Sequence, residues 1–278
     1  MNRDRPPIAY AVDSVGAPAW QASTALAIVV DVPDVLFDAT PWRRWLLRLV
    51  CRMGSPGDPA GFLQDWDANY LADVNCGRRE ATEALQSFLL AWGFSWAQVD
   101  EIEAASRVQR ESLEHNPRAL PGVVKTLARL AQAGVPLLAW CDAPHSAANA
   151  TDLLGRLGLA GRFQAVLTSF EIEHAQPAGE CYAAMLDQFA LPAADVAYVG
   201  HERAHLAGAK AAGLRTVAFN FHEPTTADIH LNRFEDLLGL AQPSIWLGQA
   251  VLAGQSRDSQ VHGGRGATES PLSLERSP

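Results

Sequence analysis

The sequence predicts an α/β protein built on a doubly wound parallel sheet. Two observations predict it: short, almost wholly apolar runs recur along the chain, and helix-length amphipathic segments separate them. A third observation, the long gap after the first run, predicts an inserted all-helical domain. Residues 25–30 (ALAIVV) open the series, and an apolar run of that length is what a parallel strand covered on both faces requires. Runs at 135–140 (VPLLAW), 165–168 (AVLT), 196–199 (VAYV) and 215–219 (RTVAF) continue it. Pro121-Gly122 opens a helix over Val123–Ala133, where Val124, Leu127, Leu130 and Ala131 form a stripe of 3.6-residue period and Gly134 stops it. Further helices are expected at Ser146–Leu157, Gly179–Phe189 and Ala204–Ala212, the last closed by Gly213.

Between the first strand and the second lie far more residues than a crossover needs. The spacing predicts helices at Trp42–Met53, Pro59–Val74, Arg78–Trp92 and Trp96–His115, separated by Gly-, Pro- and Ser-containing breaks. The expected division is an N-terminal extension (1–24), an α/β core (25–40 and 117–242), a helical insertion (41–116) and a C-terminal tail (243–278), rich in Ser, Gly and Arg and largely disordered. Trp42, Trp45, Trp66, Trp92 and Trp96 all fall in the insertion. They read as its own core and its contact with the main domain, with an aromatic-lined ligand surface as the alternative.

Composition bounds the function. The chain has 278 residues, 48% of them hydrophobic, and a formal net charge of -9. That balance argues against nucleic acid and anionic membrane as partners, since both require clustered Lys and Arg. The four cysteines, Cys51, Cys76, Cys141 and Cys181, have no CxxC spacing and indicate a reducing compartment. Residues 1–23 lack the apolar run of a signal peptide, and no stretch approaches eighteen uninterrupted apolar residues. A cytoplasmic protein is the expectation.

The end of the first strand is the most informative segment. Ala27-Ile28-Val29-Val30-Asp31-Val32-Pro33-Asp34 is an apolar strand running into an acid. It resembles the first motif of the haloacid dehalogenase-like (HAD) hydrolase superfamily, in which a nucleophilic Asp is followed two residues later by a second Asp. Pro121-Gly122-Val123 and the passage Ala133-Gly134 through Cys141-Asp142 are similar to the family's second motif. Gln176-Pro177 stands where the family has Lys-Pro, and Val199-Gly200-His201-Glu202-Arg203-Ala204-His205 followed by Gly208-Ala209-Lys210-Ala211-Ala212-Gly213 is similar to the acidic motif and the helix behind it. The resemblance covers roughly 25–240 and implies a Rossmann-like sheet of order about 3-2-1-4-5 with the helical insertion as its cap. Ligands of such sheets bind beyond the carboxyl ends of the strands.

The resemblance also implies a chemistry, and this sequence departs from it. A carboxylate nucleophile forms an ester with the transferring group, a second acid protonates the leaving oxygen, a hydroxyl and a lysine hold the charge, and acids bind Mg²⁺. Asp31 keeps the nucleophile position. Pro33 has no proton to give, Cys141 replaces the hydroxyl with a weak donor, Gln176 removes a positive charge, and His201 stands where many members have Asp. Glu202 is the surviving metal-ligand candidate, to be joined by Asp31 and the Pro33 backbone carbonyl on a Mg²⁺ held weakly or not at all. Asp34, Asp142 and His205 are further pocket candidates. Asp142 reads as a helix cap, Lys210 as solvent-facing and His174 as a solvated loop residue. The reading that follows is a homologue impaired or inactive as a catalyst, with a pocket between core and cap for a small anion or phosphorylated metabolite. The alternative is an active Mg²⁺-dependent hydrolase using Asp31 in a rebuilt site. The Trp-rich cap is the surface expected to meet a second copy or another protein.

Overall fold

The structure, a computed structural model, describes residues 27–54, 58–115, 117–222 and 224–240. The extension and tail expected from the sequence lie outside these residues. β1 (Ala27–Asp31) leads into the helical insertion of α1 (Thr40–Arg52), α2 (Pro59–Trp66), α3 (Ala72–Asn75), α4 (Ala81–Ala91) and α5 (Trp96–His115). The chain returns through α6 (Val123–Gln132), β2 (Leu137–Cys141), α7 (Ala147–Arg156), β3 (Ala165–Thr168), α8 (Ser169–Ile172) and α9 (Gly179–Asp187). It then runs through β4 (Val196–Gly200), α10 (Arg203–Ala211), β5 (Arg215–Phe219), β6 (Ile229–Leu231) and α11 (Leu237–Leu240). The sheet is parallel throughout, in the order β3-β2-β1-β4-β5-β6. β1 is therefore internal, and strand order reverses beside it.

Alternation along β1 explains why its run is apolar at every position. Ile28 and Val30 enter one buried cluster with Leu127, Leu130 and Phe234, while Ala27 and Val29 enter a second, on the opposite face, with Trp140, Tyr182 and Tyr198. Asp31 keeps the parity of Val29, so it follows the second face to the strand end. The insertion has a third core of its own around Phe62, Trp66, Phe88 and Ile102. Trp66 is buried, Trp42 Nε1 donates to Ser106 Oγ at 3.0 Å, and Trp92 Nε1 donates to Asp65 at 2.7 Å. Trp96 departs from the expectation of a core residue: it is 63% exposed at the start of α5.

Several boundaries also differ from the sequence reading. The single helix expected over Pro59–Val74 contains a wider π turn at Asp67–Leu71 between α2 and α3. The helix expected from Arg78 begins at Ala81, because Gly77 turns the chain at φ +68 and Glu80 caps the helix by accepting from the Thr82 and Glu83 N–H groups. α7 is capped by Ser146, which accepts from Asn149 N; Asp142, read as the cap, lies too far upstream for that role.

β6 has no counterpart in the sequence reading, and Lys210 helps to hold the segment leading to it. Lys210 Nζ, rather than facing only solvent, donates to Asp228 at 2.6 Å and to the Thr226 carbonyl at 3.0 Å, while Asp228 accepts from Thr216 N and Oγ1, both at 2.9 Å. Burial works against the Asp228 charge, but these donors hold its pKa below the usual carboxylate value. Its contribution to stability is accordingly present above about pH 4, the unfolded value, and is lost as pH falls through the lower folded value. Asp228→Ala is expected to cost about 1–2 kcal/mol at pH 7. Urea melts at pH 7 and pH 3 check this; a cost undiminished at pH 3 would assign the effect to something other than the carboxylate.

Candidate active site

The site forms at the carboxyl ends of β1, β2 and β4. Asp31 ends β1 and is only 2% exposed. Tyr198, two residues before the end of β4 and in register with Val29, lies on the same sheet face and reaches forward to it. Gln176 Nε2 donates to the Tyr198 hydroxyl at 2.9 Å. That leaves the hydroxyl's single proton for Asp31 Oδ2 at 3.2 Å or Gln176 Oε1 at 3.1 Å, and the charged oxygen is the stronger acceptor. Burial, with Asp31 beside it, pushes the Tyr198 pKa well up, so the phenol stays protonated. The place of the family's lysine is thus filled by a neutral, buried pair. Gly200 is required here because a Cβ on it would lie 2.5 Å from the Tyr198 ring.

His201 and His205 face the same oxygen of Asp31. His201 Nδ1 is 3.9 Å and His205 Nδ1 3.7 Å from Asp31 Oδ2. The opposite nitrogens face Glu202: His201 Nε2 is 3.5 Å from Oε1 and His205 Nε2 3.2 Å from Oε2. Glu202 therefore meets Asp31 across two imidazoles. Burial acts to lower both histidine pKa values, but Glu202 and Asp31 outweigh it; His201 is raised and His205 reaches about 9. Glu202, half exposed, is held down to about 2, chiefly by His201, against its partial burial.

The other sequence candidates have distinct places. Asp34 sits in the left-handed region at φ +58, accepts from Ala39 N at 2.8 Å and lies 3.7 Å from His201 Nε2; burial raises its pKa. Its backbone carbonyl accepts from Asn220 at 2.7 Å. Pro33 lies in the turn beyond β1, bridged to Phe37. Cys141 turns to the face opposite Asp31, packed in the Ile28 cluster, and burial pushes its thiol pKa far up, so it is a packing residue and not a nucleophile. Asp142 stands by the histidines, its pKa raised by burial to about 6 against the pull of His205. His174 is exposed, near Glu180. From the cap, Arg43 acts electrostatically on Glu202 and Asp34 while paired with Asp67 at 2.8 and 2.6 Å.

Two features of this site were unread in the sequence. Tyr198 looked like one more apolar strand residue; only the β1–β4 register aims its hydroxyl at Asp31. The spacing His201-Glu202-x-x-His205, however, stands in the sequence and places both imidazoles on one side of the β4–α10 turn.

An internal parallel strand ending in a buried acid, with a helical cap inserted directly after it, defines the class of capped α/β hydrolases. The haloacid dehalogenase-like hydrolase family profile matches residues 26–213, and the chain belongs to that family. A phosphoglycolate phosphatase of Pectobacterium atrosepticum is 28% identical over 160 residues, covering 52% of this chain and 68% of the relative. Among solved structures, the putative HAD hydrolase YfnB of Bacillus subtilis, bound to magnesium, superposes with a TM-score of 0.59 at 17% identity, over 78% of this chain and 98% of that one. A predicted phosphoglycolate phosphatase of Haemophilus somnus gives 0.59 at 17% identity over 79% and 99%. An L-2-haloacid dehalogenase gives 0.57 at 20% over 78% and 98%. These likenesses establish the common fold.

The magnesium of the phosphatase branch does not fit the residues present. Mg²⁺ demands near-octahedral oxygen ligands, whereas two imidazoles stand between the Asp31 and Glu202 carboxylates that would have to share it. No helix among the described residues is long and apolar enough to cross a membrane.

Proposed function

We propose that this chain is a HAD-type hydrolase homologue in which Mg²⁺-dependent phosphate-ester hydrolysis is impaired, and that the junction of core and cap serves to bind a small metabolite without efficient turnover. The observation that carries this reading is the Gln176–Tyr198–Asp31 chain. It puts a neutral amide and a phenol where an ammonium would neutralise the transferring group. Asp31, Asp34, Asp142 and Glu202 stand at the same strand ends and His201 and His205 offset only part of their charge, so a phosphate dianion approaching Asp31 meets repulsion. Losing one preorganised charge-stabilising group costs about 10²–10³ in turnover, and losing the acid/base group about 10²–10⁴. Fully additive, the two losses come to about 10⁴–10⁷; non-additivity draws that down towards the larger single loss, still about 10²–10⁴. The phosphoglycolate phosphatase relative supports a phosphorylated metabolite as the ligand class, and Arg43 on the cap is the cation suited to meet it.

One observation favours the rival reading, an active hydrolase: Asp31 Oδ1 has no hydrogen-bond partner among the described residues and is free to act as a nucleophile. A panel of phosphorylated metabolites and p-nitrophenyl phosphate, assayed with and without Mg²⁺, separates the two. The expected result is turnover near background and equal in wild type and Asp31→Asn. Mg²⁺-stimulated turnover abolished by that substitution would establish the rival.

A further inference from the structure

We propose that Asp31, His201 and His205 form a binding site for a zinc-class divalent cation, with Glu202 orienting both imidazoles from behind. The proposal concerns binding alone and does not depend on whether any turnover survives.

Three buried atoms carry it. Asp31 Oδ1, His201 Nδ1 and His205 Nδ1 have no hydrogen-bond partner among the described residues, and both nitrogens lie within 3.9 Å of the other oxygen of the same carboxylate, Oδ2. Unpartnered buried polar atoms of this kind call for an explanation. Glu202 faces the Nε2 atom of each ring and holds a ring proton there, while both Nδ1 atoms face the Asp31 carboxylate. The space between each Nδ1 and that carboxylate takes a positive species, a second ring proton or a metal cation, and one divalent cation can displace the proton from both rings. A carboxylate on the far nitrogen of a ligating imidazole is also the usual support of a metal-bound histidine.

The donor set selects the kind of cation. Two imidazole nitrogens and one carboxylate suit Zn²⁺, Co²⁺ and related ions, and Mg²⁺ poorly. The His-Glu-x-x-His spacing sets two histidines four residues apart, as in helical zinc sites, although here the helix begins only at Arg203. Asp34 and Asp142 add negative charge around the same point. Among the described residues no three such side chains already close on a common point. Ligands at about 2.0–2.1 Å from a tetrahedral ion are about 3.4 Å apart, so the contacts of 3.7 and 3.9 Å must contract by a few tenths of an ångström.

The test uses the full chain, stripped with chelator and titrated calorimetrically with Zn²⁺, Co²⁺ and Mg²⁺. One Zn²⁺ or Co²⁺ per chain is expected, with Mg²⁺ at least 100-fold weaker. His201→Gln and His205→Gln should each abolish binding, and Glu202→Gln should weaken it about 10–100-fold. Absence of Zn²⁺ binding, binding unchanged in both histidine variants, or equally tight Mg²⁺ binding would overturn the proposal. Should a histidine variant fail to fold, the Co²⁺-loaded wild type decides: two exchangeable, paramagnetically shifted imidazole N–H resonances are expected, and their absence rejects the site.

Discussion

Trp140→Ala is expected to remove about 3–5 kcal/mol of stability, the range for truncating a fully buried tryptophan. Trp140 is completely buried on β2, in register with Asp31, and packs on the same sheet face as Val29, Leu167 and Tyr198. Its loss would leave a large void directly beneath the site, in a layer where the two neighbouring strands cannot collapse without breaking register. For a domain of this size each kcal/mol moves Tm by roughly 2–4 °C, so a fall of about 6–20 °C should appear in a thermal melt. Trp140→Phe is the informative control. The indole Nε1 has no hydrogen-bond partner among the described residues, and a buried, unpaired donor costs about 1–3 kcal/mol. Phe loses some volume but sheds that penalty, so its net effect should lie within about 1.5 kcal/mol of zero. If Trp140→Ala melted within 2 °C of wild type, the layer would not carry the sheet as described.

The core strands were legible because both of their faces are buried, which forces apolar residues at nearly every position of β1, β2 and β4. β6 was not, since Ile229-His230-Leu231 is too short to show a pattern and its approach is fixed by Asp228 reaching Lys210 and Thr216 from elsewhere in the chain. The π turn at Asp67–Leu71 was hidden for a related reason: the local sequence reads as good helix throughout, and periodicity does not register one extra residue in a turn. In the site, Asp31 announced itself as an acid ending an apolar strand. Gln176 could be read as a missing lysine, but its attachment to Tyr198 could not, because a tyrosine in an apolar strand looks like packing until register aims its hydroxyl. Asp142 was misread as a cap because acids often precede helices; the loop through Pro144 delays α7 until Ser146 takes that role, leaving the carboxylate among the histidines.

That carboxylate supports the second large effect, of opposite sign: Asp142→Asn should stabilise the protein. Burial holds the Asp142 pKa at about 6, above its ordinary value of 3.8. A folded-state value above the unfolded one means that the protonated acid favours the fold below pH 3.8, and this contribution is lost as pH rises through 6. At neutral pH the ionised group therefore costs up to about 3 kcal/mol, since a tenfold change in proton affinity is worth about 1.4 kcal/mol. The amide removes the charge but not the need for hydrogen bonds, so a gain of about 1–3 kcal/mol is expected at pH 7.5, shrinking towards zero at pH 3.5. Melts of both proteins at the two pH values check it; an equal gain at both would mean that the charge is not its source. A half-buried acid retained at such a cost, with one inaccessible oxygen unpartnered and His205 close enough to act on it, has the character of a group placed for a positively charged ligand. Saturating Zn²⁺ should then narrow the gap between Asp142→Asn and wild type at pH 7.5, because a cation on Asp31 and the histidines offsets the penalty in the protein that still carries the charge.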